Sequence, residues 1–120
     1  MTIVDYLKPT LANQNCKERN FAEVLFGVAL SGEVKKITDN MDESISFSGR
    51  SYFRLLSKAE LEECENDMKV SFKALALIPI FDVADNDYIC YSIKEKAWCK
   101  FNIVDGVCFS KKDSILEYLI

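Results

Sequence analysis

Between Ala74 and Phe109 the chain passes through a series of short β-favouring stretches, each closed by a turn signal, and this spacing dictates an antiparallel meander of three or four strands. The run Ala74–Phe81 is too short for a typical helix, and its Pro79 marks an edge or a bulge. Asp82–Asp87 is a polar turn. Tyr88–Ile93 is β-branched and aromatic, as expected of a strand covered at least partly on both faces. After Glu95-Lys96, the stretch Ala97–Ile103 sets Ala97, Cys99, Phe101 and Ile103 against Trp98, Lys100 and Asn102, which predicts a half-buried strand. Asp105-Gly106 is a hairpin dipeptide and leads into Val107–Phe109.

Helix signals bracket this meander. Ser57-x-x-Glu60 is a capping box ahead of a helix expected from about Lys58 to Val70, with Leu61, Cys64 and Met68 on its inner face. The outer face carries Glu62, Glu63, Glu65, Asp67 and Lys69. Ser110-x-x-Asp113 predicts the cap of a last helix with Ile115, Leu116 and Leu119 inward. Arg50–Leu56 is aromatic and weakly alternating, which predicts a strand. Further upstream, Thr2-x-x-Asp5 caps a short helix carrying Ile3, Val4 and Leu7, which Pro9 should end or bend. Asn20-x-x-Glu23 opens a core helix with Phe21, Val24, Leu25, Val28 and Ala29, ending near Ser31-Gly32. Glu33–Gly49 reads as a loop holding a short strand around Ile45–Phe47. Strands grouped apart from helices predict one α+β domain over residues 1–120, with an antiparallel or mixed sheet of about four to six strands flanked by helices.

A chain of 120 residues with 49% hydrophobic and 28% charged residues has the balance of a folded domain with one core. The longest apolar runs, Val24–Leu30 and Ala74–Phe81, fall far short of the roughly 20 residues that cross a bilayer. The N-terminus carries Asp5 and no basic flank before an apolar stretch, unlike a secretory signal, so a cytoplasmic location is expected.

The five cysteines, Cys16, Cys64, Cys90, Cys99 and Cys108, form no C-x-x-C pair, and the chain has no histidine to complete a zinc site. Cys90, Cys99 and Cys108 lie in apolar strand-like stretches, where free cysteine acts as a small buried hydrophobe. Lack of histidine also removes Ser-His and Cys-His catalysis. The one carboxylate cluster on a turn is Asp82, Asp85 and Asp87. Its oxygens suit a hard cation or an acid pair, whereas the plainer reading is a solvated turn, since aspartate and asparagine bond nearby backbone amides. The four glycines are scattered, so no phosphate loop is present and no cofactor is expected. Lys94, Lys96, Trp98, Lys100 and Phe101 interleave bases with aromatics as single-strand nucleic-acid platforms do, or simply protect a sheet edge. A net charge of -4 disfavours nucleic acid and favours a basic partner.

From Tyr52 onward the chain resembles the SUKH superfamily, which contains the fungal cell-wall-assembly regulator and many bacterial immunity proteins. The residues that carry the resemblance are Tyr52-Phe-Arg-Leu-Leu-Ser, the helix opening Lys58-Ala-Glu-Leu, Leu77-Ile-Pro-Ile-Phe-Asp, Asp85-Asn-Asp-Tyr-Ile-Cys-Tyr, and the hairpins closing on Phe109-Ser. The resemblance implies a sheet flanked by helices, no enzymatic activity, and a protein partner. For the bacterial members this partner is a cognate toxin, often a nuclease or deaminase. The contact residues expected here are Glu62, Glu63 and Glu65 on the acidic helix face, with Asp82, Asp85 and Asp87 on the turn. A regulatory scaffold of the same superfamily, and a small metal or catalytic protein using the aspartate turn, are the alternative expectations.

Overall fold

The computed structural model describes residues 2–12, 20–47 and 51–119. Helix α1 (Ile3–Ala12) opens on the expected reciprocal cap: Asp5 N–H donates to Thr2 Oγ1 at 3.2 Å and Thr2 N–H to Asp5 Oδ2 at 3.1 Å. The helix does not stop at Pro9 but runs through it. Proline forfeits one intrahelical bond. Local anchors offset that loss: Leu7 is fully buried, the Thr10 hydroxyl donates to Tyr6 C=O, and Lys36 Nζ donates to Leu11 C=O.

The expected core helix after Asn20 is shorter and shallower than its periodicity predicts. Helix α2 (Phe21–Phe26) ends at Gly27, whose φ of +67° is a conformation that glycine adopts without a Cβ clash. Ala22 is its buried residue, and Val24 is 80% exposed. In place of the expected loop, α3 (Gly32–Thr38) buries Val34, Ile37 and Thr38 at helical spacing. Glu33 just before these residues and Lys35 and Lys36 between them mask that period.

Six strands follow: β1 (Ile45–Phe47), β2 (Phe53–Leu55), β3 (Leu77–Asp82), β4 (Asp87–Ser92), β5 (Ala97–Asn102) and β6 (Val107–Lys112). They lie in sequential order, every neighbouring pair antiparallel. The domain is therefore α+β, and its meander extends two strands further towards the N-terminus than Ala74. Pro79 sits beside a register shift in β3, and β2 pairs only with Phe81 and Asp82. Its missing N–H thus removes no ladder bond to β2. The first residues of the run Ala74–Phe81 belong instead to a short helix, α6 (Phe72–Leu75), which turns at Ala76 into β3.

The predicted helix Lys58–Val70 is two pieces, α4 (Lys58–Glu62) and α5 (Cys64–Met68), broken at Glu63 and closed by Lys69 at φ +57°. The Ser57–Glu60 capping box is present in both directions. Leu61 and Cys64 are buried as expected and Met68 partly so.

Alternation along the strands assigns two faces, both covered. On one, Tyr6 of α1 meets Phe47 at 5.4 Å between ring centroids, and α3 contributes the buried Val34 and Ile37, with Met41 buried just beyond it in the chain. On the other, Phe72 of α6 packs edge-on against Phe101, and Glu60 of α4 pairs with Arg54. Helices sandwich the sheet, so the half-buried reading of β5 needs correction: Trp98, on the side taken as outward, is 1% exposed. Both Trp98 and Phe101 are interior, on opposite faces, so these rings are not a stacking platform, and the sheet edge is β6, not β5. Because β6 is an edge, Cys108 is exposed, unlike the buried Cys64, Cys90 and Cys99. Cys16 lies outside the described residues.

The last element is a 3₁₀ helix at Ile115–Leu119. Its cap is not Ser110-x-x-Asp113 but the next such pair along the chain. Ser114 Oγ accepts from Leu116 N–H at 3.2 Å, and Glu117 accepts from Asp113 and Ser114 N–H. Ser110 cannot serve as the cap because β6 runs through it to Lys112. Ile115 is buried, Leu116 is 39% exposed, and the Leu119 side chain lies outside the described residues.

Candidate partner-binding site

The acidic side chains singled out from the sequence divide into those that build the fold and those left facing solvent. Glu65 accepts the Lys73 N–H at 2.9 Å, which serves the first turn of α6. Asp82 accepts the Ala84 N–H through Oδ1 at 2.9 Å and meets Arg54 through Oδ2 at 3.3 Å. Asp87 accepts from Asn102 Nδ2 at 2.8 Å. These three carboxylates are occupied within the protein. Glu62, Glu63 and Asp85 are exposed and make no ion pair among the described residues. They are the members of the predicted set available to a partner.

Arg54 fixes the geometry of this margin. Its Nη1 donates to both oxygens of Glu60 at 2.8 and 2.9 Å and to Ser44 Oγ, while Nη2 meets Asp82. The start of α4 and the end of β3 are thereby held side by side. Burial alone would push the Glu60 carboxyl up, but the Ser57 N–H and the Arg54 guanidinium outweigh it and hold the group below its ordinary value.

The aspartate turn is tightly specified: Ala84, Asp85 and Asn86 all have positive φ, at 75°, 56° and 67°. Asparagine and aspartate tolerate this region better than most residues. Val83 N–H donates to Asp87 C=O and Asp87 N–H to Ala84 C=O, closing the loop on itself. Asp82 and Asp87 are turned to separate partners and Asp85 to solvent, and no cluster of three or more metal-ligating side chains forms among the described residues.

The turn is also tied sideways. Ile103 N–H donates to Asn86 C=O at 2.9 Å, and Asn102, bonded to Asp87, accepts the Val104 and Asp105 N–H groups. The hairpin turns β3–β4 and β5–β6 therefore lie together at one end of the sheet. This adds two residues that sequence reasoning missed, Asp105 and Val104, the latter 72% exposed. Asp105-Gly106 was legible as a turn, but its neighbourhood with Asp85 depends on the register of β4 against β5.

No protein-family model, no curated protein and no solved structure matches the chain. Among the described residues no helix is long and apolar enough to cross a membrane.

Proposed function

We propose that this protein is a non-enzymatic binding module of the immunity type, which neutralises a basic toxin such as a nuclease by covering its active site. The observation that carries the reading is the fixed acidic margin. Glu62 and Glu63 on α4 and its junction with α5, and Asp85 and Asp105 on two laced turns, are exposed negative charges that make no ion pair among the described residues. The backbone beneath them is held by the Arg54 and Asn102 networks. Rigid charge of one sign speeds encounter with a partner of the other sign and sets its orientation, at little ordering cost. The sequence supports the same reading, through the resemblance from Tyr52 onward and the net charge of -4.

The test is co-expression with the product of an adjacent toxin-like gene. Cells expressing both survive, and the two proteins co-purify in a complex that weakens as salt rises. Death of the co-expressing cells together with failure to co-purify refutes the proposal. A complex that leaves the toxin active points instead to the scaffold role.

A further inference from the structure

The Cys99 and Cys108 sulfurs lie 3.7 Å apart on neighbouring strands. Cys108 is in register with Phe101, which makes Cys99 its diagonal neighbour on the same sheet face. The two thiols differ sharply in access: Cys99 is 1% exposed, while Cys108 opens to solvent on the edge strand. Cys108 also borders a cavity of about 250 Å³ shared with Phe101, Leu77, Lys94 and Lys111. Lys111 is itself paired with Glu95. An exposed thiol lining an open surface pocket, with a second sulfur 3.7 Å behind it, has the geometry of an attacking and a resolving cysteine.

We propose that Cys99 and Cys108 form a thiol–disulfide exchange site, in which Cys108 takes up a small organic disulfide from solvent and Cys99 resolves the adduct. In the first step the Cys108 thiolate attacks one sulfur of the disulfide RSSR. A Cys108–SR bond forms, the RS–SR bond breaks, and the departing thiolate takes up a proton as RSH. In the second step the Cys99 sulfur gives its proton to solvent and attacks the Cys108 sulfur. The Cys99–Cys108 bond forms and the second RSH leaves. The protein thiols lose two electrons and two protons, which the small disulfide gains.

The order of attack follows from surroundings. Burial pushes the Cys99 thiol up, and charge on Cys108 pushes it further. The exposed thiol therefore reacts first, and its conversion to a neutral mixed disulfide takes that charge away from Cys99 before the second step. Forming the bond, ~2.05 Å long, requires the sulfurs to close by about 1.7 Å. The segment that moves is suited to it: β6 pairs on one side only, and the β5–β6 register shifts between Trp98 and Lys100, opposite Ser110 at φ +55°. Cys90 stands in register with Cys99 from the other neighbouring strand, β4, but it and Cys64 are buried, so Cys108 is the thiol of this group that solvent reaches.

The full chain is incubated with oxidised glutathione without denaturant, digested, and mapped by mass spectrometry. The expected result is loss of both free thiols at positions 99 and 108, a linked Cys99–Cys108 peptide, and recovery of both thiols with dithiothreitol. Cys99→Ser stops at glutathione on Cys108, and Cys108→Ser leaves Cys99 free. Cys99→Ala, checked for folding by circular dichroism, repeats the Cys99→Ser result where the serine variant misfolds. A lasting glutathione adduct on Cys108 in the unmodified chain, a Cys108 bond to any other cysteine, or an unreacted Cys108 overturns the proposal.

Discussion

Glu33 is the residue whose removal should cost the fold most for its size. Its Oε1 accepts from Trp98 Nε1 at 3.3 Å and from Ile115 N–H at 3.1 Å, and its Oε2 from Ser114 Oγ at 2.6 Å. One carboxylate on α3 thus joins the sheet to the C-terminal 3₁₀ helix. Glu33→Ala leaves the Trp98 N–H unpaired in a side chain that is 1% exposed, a loss of ~1–3 kcal/mol. The Ile115 N–H belongs to a residue that is fully buried and is a second donor left unpaired, again ~1–3 kcal/mol, whereas the Ser114 hydroxyl can turn towards water and adds about 0.5–1.5 kcal/mol. The expected total is ~5 kcal/mol, and for a chain of 120 residues this lowers the melting midpoint by roughly 20 °C. Glu33→Gln keeps an acceptor for Trp98 and Ile115 while the Ser114 hydroxyl rotates, so it should cost only about 1 kcal/mol. Calorimetry gives both values, and the fluorescence of the chain's one tryptophan reports the local change. In a Trp98→Phe background the buried donor is absent, and Glu33→Ala should then cost less by ~1–3 kcal/mol. A melting shift equal for the Ala and Gln variants, or an undiminished cost in the Phe background, would refute the reasoning.

Acid should weaken the fold through Glu60 and Glu23. The Lys35 ammonium and the Leu30 N–H hold the Glu23 carboxyl below its ordinary 4.5, and Glu60 is lowered as described. A depressed folded value means the unfolded chain binds more protons, so this stability is complete above 4.5 and is lost as pH falls through the folded values. Urea midpoints across that range should fall with pH, with a shallower slope in Glu60→Gln. Phe72→Ala, which empties a fully buried site packed on Phe101, should cost ~3–5 kcal/mol in urea unfolding; a cost below 1.5 kcal/mol would mean α6 is not part of the core. Charge reversal at Glu62, Glu63 and Asp85 together should leave the melting midpoint within a few degrees while abolishing toxin protection in co-expression, since these carboxylates are exposed and make no ion pair among the described residues.

Local chemistry alone specified several elements. The Ser57–Glu60 and Thr2–Asp5 boxes and the turn at Asp105-Gly106 each depend on side chains bonding a backbone only a few residues away. Where the signal was local but repeated, it misled. Ser110-x-x-Asp113 and Ser114-x-x-Glu117 both fit a capping box, and pairing of β6 with β5 decided between them. The helix at Gly32–Thr38 was hidden because its three buried residues sit among charges, and α1 crosses Pro9 because tertiary anchors outweigh one lost bond. For the acidic margin, the sequence determined which residues were acidic and that several lay on a turn. It could not say that Glu65, Asp82 and Asp87 would be consumed by internal bonds, or that Asp105 would stand beside Asp85. Those outcomes depend on strand register and on Arg54 and Asn102 reaching across elements distant in the chain. Composition and short-range hydrogen bonding therefore gave the α+β class and the meander, whereas burial on both faces, the hidden Trp98 and the contact between Cys99 and Cys108 exist only because separate segments pack together.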